Sequence, residues 1–186
     1  MPSLVLPVLT SLPGEQPVLT GGELELRPWR GSDAPALVAA YADPAVQHWH
    51  GERLDEAEAL EHADEWGEHW RAGRRAGFAL VRGGELVGRV TLRAIDLEQG
   101  SAEVTYWVVA AARGAGLAPR AVELLVSWAF GGLGMHRLTL KHSTANEPSC
   151  RVATKCGFAV EGTARSSLLH ADGWHDMHLH ARLSDD

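Results

Sequence analysis

Cysteine is scarce in this sequence: only Cys150 and Cys156 occur among 186 residues. The two are six positions apart, so on one helix their side chains would face different sides, which argues against a disulfide between them. The first residues also lack the basic region with which a secretory signal peptide begins. We therefore predict a cytoplasmic protein whose thiols are reduced.

An excess of basic charge and long apolar runs are lacking as well. The chain has 24 acidic and 17 basic residues, a formal net charge of −7, which argues against nucleic acid or an anionic membrane as a partner. No apolar run reaches the roughly 18 residues that span a bilayer. At 45% hydrophobic and of one-domain length, the chain can bury a substantial core, and its acidic surface would tolerate a cationic amine substrate.

One glycine-containing turn joins a strand-like segment to a helix-like segment. Residues 104–109 are an apolar run, an amphipathic pattern extends from Leu117 to Phe130, and residues 113–118 (Arg-Gly-Ala-Gly-Leu-Ala) lie between them. The first N–H groups of a helix are unpaired and mark the positive end of its dipole. Glycines remove the side chains that would keep a phosphate away. The segment predicts a pyrophosphate cradle, with an ordinary tight turn as the alternative.

Two common phosphate-binding motifs are excluded at this turn. A P-loop requires Lys-Ser or Lys-Thr after its glycines, and neither pair follows Gly116. The dinucleotide fingerprint requires a third glycine or alanine where this chain has Pro119, and an acidic residue about 20 positions later that is missing.

The pattern Arg113-x-x-Gly116-x-Ala118 resembles the acyl-CoA-binding motif of the GNAT acyltransferase superfamily. Four further segments, in the right order, are similar to other parts of that superfamily. They are 24–29 with Asp33-Ala34 (first strand and helix), 102–108 (fourth strand), Asn146-x-x-Ser149 with Ala153 and Gly157-Phe158, and the final hairpin from Asp172 to Leu183. The last two resemble the RimJ/RimL-like branch, which acetylates protein N-termini and related amines. The resemblance covers Leu24 to Leu183.

This resemblance implies a single α/β domain over residues 23–186, with residues 1–22 as an extended, proline-containing arm. The expected sheet is mixed, mostly antiparallel and seven-stranded, with flanking helices and a splay between strands four and five. Hydrophobic periodicity agrees, since hairpin patterns alternate with helical patterns along the chain.

The resemblance also implies where acetyl-CoA, the expected co-substrate, would bind. Pyrophosphate would contact backbone N–H groups of the 113–118 turn, and pantetheine would run along the fourth strand in the splay, where the Val108 N–H is the expected oxyanion donor. The side chain of Arg113 could add charge near phosphate or be a solvated surface arginine. The cofactor-binding set is Trp107, Val108, Val109, Arg113, Gly114, Ala115, Gly116, Leu117, Ala118, Asn146, Ser149, Arg151 and Lys155.

Two residues are candidates for proton transfer. Ser149 matches the serine that RimL-like enzymes are thought to use as proton donor to the departing CoA thiolate; its alternative role is a helix cap, for which Asn146 also competes. Some relatives carry an acid in the penultimate strand, but residues 163–169 contain none. Glu103 on the fourth strand is therefore the candidate base, acting through water with a raised pKa, against the alternative of an exposed cross-strand glutamate.

The acceptor pocket of the superfamily matches the segment His48-Trp49-His50, although Trp49 could instead belong to the core. Four further histidines lie near the C-terminus, and His178 and His180 share one strand face. Without a cysteine at zinc-finger spacing, no metal site is predicted.

The sequence thus predicts an acetyl-CoA-dependent N-acetyltransferase that works by direct attack in a ternary complex, because neither cysteine lies where a covalent acyl carrier is expected. The acceptor would be a protein N-terminus or a small amine, and a homodimer is possible by resemblance. The alternatives are an acyl-CoA-binding sensor without turnover and a nucleotide-binding module.

Overall fold

The computed structural model describes residues 11–51 and 53–186. Residues 1–10 of the predicted arm lie outside this range. Besides short turns of 3-10 helix, the described chain contains five α-helices and eight strands. They are β1 (Leu19–Gly21), β2 (Leu24–Arg27), α1 (Ala34–Tyr41), α2 (Pro44–His50), α3 (Glu56–Arg71), β3 (Ala76–Arg82), β4 (Glu85–Asp96), β5 (Ser101–Val108), α4 (Leu117–Gly131), β6 (Arg137–Ser143), α5 (Glu147–Lys155), β7 (Ala159–His170) and β8 (Gly173–Leu183).

The strands form one sheet in the order β1-β2-β3-β4-β5-β6-β8-β7. All neighbours are antiparallel except β5 and β6, which are parallel because α4 crosses between them. This mixed α/β architecture confirms the predicted fold class. The eighth strand is β1, which pairs with β2 and lies within the segment predicted to be an arm.

The splay predicted between strands four and five of the expected sheet is present between β5 and β6. Their pairing begins at Ser101 with Arg137 and stops at Val104 with Leu140. Beyond that point the two strands diverge, leaving residues 105–108 of β5 opposite residues 141–143 of β6 without ladder bonds. We call this opening the gap.

Local sequence signals set the ends of the helices near the gap. Asp43 caps α2 by accepting a hydrogen bond from the Ala45 N–H (2.8 Å), and Pro44 occupies the first helical position. Asn146 caps α5 in the same way, its Oδ1 accepting from the Ser149 N–H (3.1 Å).

Two apolar cores cover the two faces of the sheet. The larger core packs α4 against β2–β6, with Phe78, Leu125 and Leu138 fully buried. The smaller core packs α1, α2 and α3 on the opposite face, around Tyr41 and Trp107. Hydrophobic burial on both faces makes the sheet the rigid central layer from which the gap opens.

Residues 11–21 pack against the domain. Leu12 is buried, the Trp70 indole donates to the Pro13 carbonyl (2.8 Å), and the Gln16 amide donates to the Gly77 carbonyl (2.8 Å). The described part of the predicted arm is therefore ordered by docking. Within the described residues, no helix is long and apolar enough to cross a membrane.

Candidate active site

The 113–118 turn presents free backbone donors at the start of α4. Gly114 and Gly116 both have positive φ (80° and 71°), and a Cβ at either position would meet no atom within 4 Å. No side chain of the described residues caps the helix. The first N–H groups of α4 therefore point outward with the positive end of the helix dipole, which is the arrangement that binds phosphate.

The register of β4 and β5 determines which backbone groups face the gap. Gly88 lies opposite Val108, and the Val109 N–H donates to the Val87 carbonyl (3.0 Å). The Gly88–Val108 pair is therefore of the non-hydrogen-bonded kind, and the N–H groups of Val108 and, two residues earlier, Tyr106 point away from β4. Both point into the gap, where an extended pantetheine chain or an oxyanion could accept from them.

The same register corrects part of the predicted cofactor-binding set. Val109 uses both backbone groups within the protein, since its carbonyl accepts from the Ala112 N–H (2.9 Å). By alternation, the backbone groups of Trp107 bond to Arg89 on β4. The backbone groups that face the gap, where pantetheine is expected, are therefore those of Tyr106 and Val108 and not the predicted ones of Trp107 and Val109. Period-two patterning gives the strand but not which edge each N–H faces.

Tyr106 and Ser149 meet across the gap. The phenol of Tyr106 donates to Oγ of Ser149 (3.0 Å). Burial raises the pKa of Tyr106 to about 12, although the hydrogen bond to Ser149 acts in the opposite direction. The phenol is therefore protonated at neutral pH, and the hydrogen of Ser149 is left to donate elsewhere. Since Asn146 supplies the cap of α5, Ser149 is not the cap.

One cavity of about 590 Å³ connects the turn, the gap and one side of α5. Most of the predicted site residues line it, and so does Tyr106, which sequence reasoning missed. The predicted residues in its wall are Trp49, His50, Trp107, Val108, Arg113, Gly114, Gly116, Leu117, Ala118, Asn146, Ser149, Arg151 and Lys155. His48, Glu103, Val109 and Ala115 are not among the lining residues.

The guanidinium of Arg113 is held by the protein. Its Nε donates to the Val108 carbonyl (3.0 Å), and its Nη2 donates to Asp43 (2.7 Å). Its charge is thus directed toward the start of α2. This supports a backbone role for the turn in phosphate binding. Among the described residues in the cavity wall, Arg151 and Lys155 on α5 are the cations with no such ion pair to another element.

Glu103 does not have the surroundings of a catalytic base. Its carboxylate accepts from Nε of Arg93 (3.1 Å) and lies 3.4 Å from Nζ of Lys141. The residue also belongs to the paired half of β5, opposite Thr139, before the strands diverge. The expectation of Glu103 as the base is therefore corrected: its carboxylate is engaged by two cations and is not among the described residues that line the cavity.

Trp49 and His50, the last two residues of α2, line the cavity. Burial lowers the pKa of His50 to about 3; the charges of Arg89 and Arg93 act in the same direction, and a hydrogen bond with the Tyr106 backbone opposes them. The His50 imidazole is therefore neutral at pH 7.

His48 instead stacks on His170 (ring centroids 5.8 Å apart) and lies edge-on to Trp49.

A hydrogen-bonded chain of serine, histidine and aspartate lies beside Trp49. Oγ of Ser143 is 2.7 Å from Nδ1 of His175, and Nε2 of His175 is 2.9 Å from Asp172. The His175 ring is 6.1 Å from the Trp49 ring. Because a carboxylate accepts, Nε2 carries the hydrogen and Nδ1 of a neutral His175 is the basic nitrogen. The sequence had suggested only a group of histidines here, since Ser143 is 32 positions away.

This geometry agrees with a comparison with protein families. Residues 23–159 match the model of the acetyltransferase (GNAT) domain. The chain belongs to the GNAT acetyltransferases. Proteins named N-acetyltransferases are among its relatives: the uncharacterized N-acetyltransferase YoaA of Bacillus subtilis is 27% identical over 171 residues, which cover 89% of this chain and 96% of YoaA.

Relatives and structures named for ribosomal proteins are also similar. The ribosomal-protein-serine acetyltransferase of Escherichia coli is 27% identical over 108 residues, which span 58% of this chain and 60% of that protein. The structure of RimL, a ribosomal L7/L12 α-N-protein acetyltransferase in complex with coenzyme A, superposes with a TM-score of 0.84 at 21% identity, covering 90% of this chain and 98% of RimL. The structural likeness shows the shared fold.

Proposed function

We propose that this GNAT acetyltransferase moves the acetyl group of acetyl-CoA to the primary amine at a protein N-terminus, by direct attack in a ternary complex. One observation carries the proposal: the free donors of the 113–118 turn, the unpaired Val108 N–H and the Ser149 hydroxyl share one cavity. They match the diphosphate, the thioester carbonyl and the departing sulfur of acetyl-CoA, in that order.

The proposed reaction needs no covalent acyl-enzyme. Neither Cys150 nor Cys156 is among the described residues that line the cavity. The neutral amine nitrogen would attack the thioester carbon, and the Val108 N–H would stabilise the oxyanion. As the carbon–sulfur bond breaks, Ser149 would give its proton to the sulfur, and the proton that the attacking nitrogen loses on becoming an amide would restore the Ser149 hydroxyl.

We assign removal of the ammonium proton to His175. Asp172 accepts from Nε2 and would stabilise the imidazolium that forms, and the proton would reach Nδ1 through Ser143 or water. His175→Gln should lower kcat/KM about 10²- to 10⁴-fold. The exposed His136→Gln is the matched control. A kcat/KM for His175→Gln equal to that of His136→Gln would remove His175 from the mechanism.

Two features support a protein acceptor over a small amine. Relatives named ribosomal-protein acetyltransferases share the family. In addition, Leu169 and Trp174 are paired across the β7–β8 hairpin and are 60% and 65% exposed. They adjoin in sequence His170 and His175, whose rings lie 5.4 and 6.1 Å from that of Trp49 in the cavity wall. An exposed apolar surface near Trp49 fits a polypeptide substrate.

Release of thiol from acetyl-CoA tests the proposal with a panel of N-terminal peptides and small amines, with mass spectrometry to locate the acetyl group. We expect acetylation of the α-amine of a peptide. Acetylation of small amines alone would overturn the protein acceptor. Tight CoA binding with no turnover on any amine would favour the sensor, and protection against heat by ATP or NAD but not by CoA would favour a nucleotide-binding module.

A further inference from the structure

A second cluster of reactive side chains lies between α5 and the sheet, outside the residues that line the acetyl-CoA cavity. It consists of His142 on β6, Cys150 on α5, and His178 and His180 on β8. One ligand atom from each lies within 4.8 Å of the other three. His142 is paired with His178, and Leu140 with His180, across neighbouring strands. The three imidazoles therefore share the sheet face that α5 covers.

The hydrogen bonds of two imidazoles fix where their hydrogens are. Nδ1 of His142 is 2.8 Å from the Ser143 carbonyl, and Nδ1 of His180 is 3.2 Å from the Phe158 carbonyl. A carbonyl only accepts, so each Nδ1 carries the hydrogen, and in neutral rings both Nε2 atoms present lone pairs. These two Nε2 atoms are 3.0 Å apart. Two facing lone pairs repel, so a positive group between them would be strongly stabilised.

We propose that His142, Cys150, His178 and His180 bind a divalent transition metal of the zinc class. Three imidazoles and a thiolate are ligands that Zn²⁺ prefers, and hard cations such as Mg²⁺ prefer oxygen. The 3.0 Å separation is close to the roughly 3.3 Å between two nitrogens of a tetrahedral site with bonds of about 2.0–2.1 Å. Backbone carbonyls that accept from Nδ1 are the usual outer partners of metal-bound histidines.

The two remaining ligands are available for this role. Cys150 is a free thiol, and metal binding would release its proton. Nδ1 of His178 is buried with no hydrogen-bond partner in the described part of the chain. A single shared proton would satisfy His142 and His180 but would leave the convergence of Cys150 and His178 without a role. The four-donor set therefore favours a metal over a proton.

Four protein ligands leave no open position, so the metal would be structural rather than catalytic. It would join α5 to β6 and β8 at Cys150. The residue before Cys150 is Ser149, whose hydroxyl accepts from Tyr106. The metal would thus hold the helix that presents Ser149 to the cavity.

Metal binding to the full-length, tag-free protein tests the proposal directly. After chelator treatment, Zn²⁺ is titrated against a chromophoric competitor, and Co²⁺ is added separately as a spectroscopic probe. We expect one Zn²⁺ per chain and, with Co²⁺, the intense d–d bands of a tetrahedral site together with a thiolate-to-cobalt charge-transfer band.

Cys150→Ser should abolish the charge-transfer band and weaken Zn²⁺ binding by more than the roughly 10- to 100-fold that loss of an outer partner costs. Cys156→Ser removes the other thiol and should leave both signals unchanged, and His136→Ala does the same for an exposed histidine. Circular dichroism checks that each variant is folded.

The wild-type protein alone can overturn the proposal: no stoichiometric Zn²⁺ binding, or a cobalt spectrum without a thiolate band, would reduce the cluster to hydrogen-bonded histidines. Zn²⁺ binding that persists unchanged in Cys150→Ser and His178→Ala would also overturn it. None of these measurements depends on acetyl transfer, so they stand apart from the proposed function.

Discussion

Replacing Ser149 and Tyr106, singly and together, separates a proton donor from a structural hydrogen bond. Tyr106 donates to Ser149, and Ser149 would donate to the CoA sulfur. Ser149→Ala removes the last donor and leaves the Tyr106 phenol without its acceptor. Tyr106→Phe keeps the Ser149 hydroxyl and removes only the group that polarises it.

The structure gives different magnitudes for the two changes. Loss of a general acid lowers kcat by about 10²- to 10⁴-fold, so Ser149→Ala should fall in that range. Loss of one neutral hydrogen bond is worth about 0.5–1.5 kcal/mol, so Tyr106→Phe should lower kcat roughly 2- to 10-fold. In stability, Ser149→Ala should cost about 0.5–1.5 kcal/mol, because a half-buried phenol loses its hydrogen-bond partner.

The double variant Tyr106→Phe/Ser149→Ala should therefore recover most of the lost stability without recovering kcat. Urea unfolding gives the free energy of unfolding, and CoA release with the best acceptor gives kcat. Calorimetry with acetyl-CoA should show affinity nearly unchanged in all three variants. Thr154→Ala, on the same helix, is the control. If kcat of Ser149→Ala stays within about threefold of wild type, well short of the expected loss of about 10²-fold, the assignment of Ser149 as proton donor is refuted.

Three further predictions test the rest of the site and the fold. Gly116→Asp should weaken acetyl-CoA binding at least about tenfold, since it adds a negative charge where the α4 dipole is positive and φ is left-handed; Gly131→Asp, at the other end of α4, should not, and calorimetry compares them. Asp33→Asn should cost about 3–5 kcal/mol in urea unfolding at pH 7, because Asp33 and Arg27 form a buried bidentate pair at 2.7 and 2.8 Å. Burial alone would raise the pKa of Asp33, but hydrogen bonds from Arg27 and the Arg30 backbone lower it, so the wild type keeps this stability above about pH 4 and loses it as pH falls further. Glu103→Gln should reduce stability and leave kcat unchanged; a loss of about 100-fold in kcat would return Glu103 to the role of base.

The elements near the cofactor site could be predicted because their signals are local. The apolar stripe from Leu117 gave α4, the glycines before it gave the turn, and Pro148 with Gly157 gave the limits of α5. The motif Arg113-x-x-Gly116 marked the turn, but not that Arg113 would be held by Asp43, 70 positions earlier.

The features that sequence reasoning missed depend on pairing between distant strands. Alternation places Glu103 on one face of β5, but it does not show that Lys141 of β6 forms an ion pair with its carboxylate. Ser143 and His175 come together only because β6 lies beside β8. The approach of Cys150 to three imidazoles is hidden from the sequence for the same reason, since His142 belongs to β6 and the other two histidines to β8.

The early end of the ladder between β5 and β6 leaves two strand edges in the interior of one sheet. Such edges attract any extended chain with free amides, including another protein molecule. Acetyl-CoA bound in the gap would cover these edges, and its binding would also stabilise the native state. At a concentration 100 times its dissociation constant, this stabilisation would be about 2.7 kcal/mol. In cells with depleted coenzyme A, the native enzyme would then be less abundant, and its rate of acetyl transfer would also be lower.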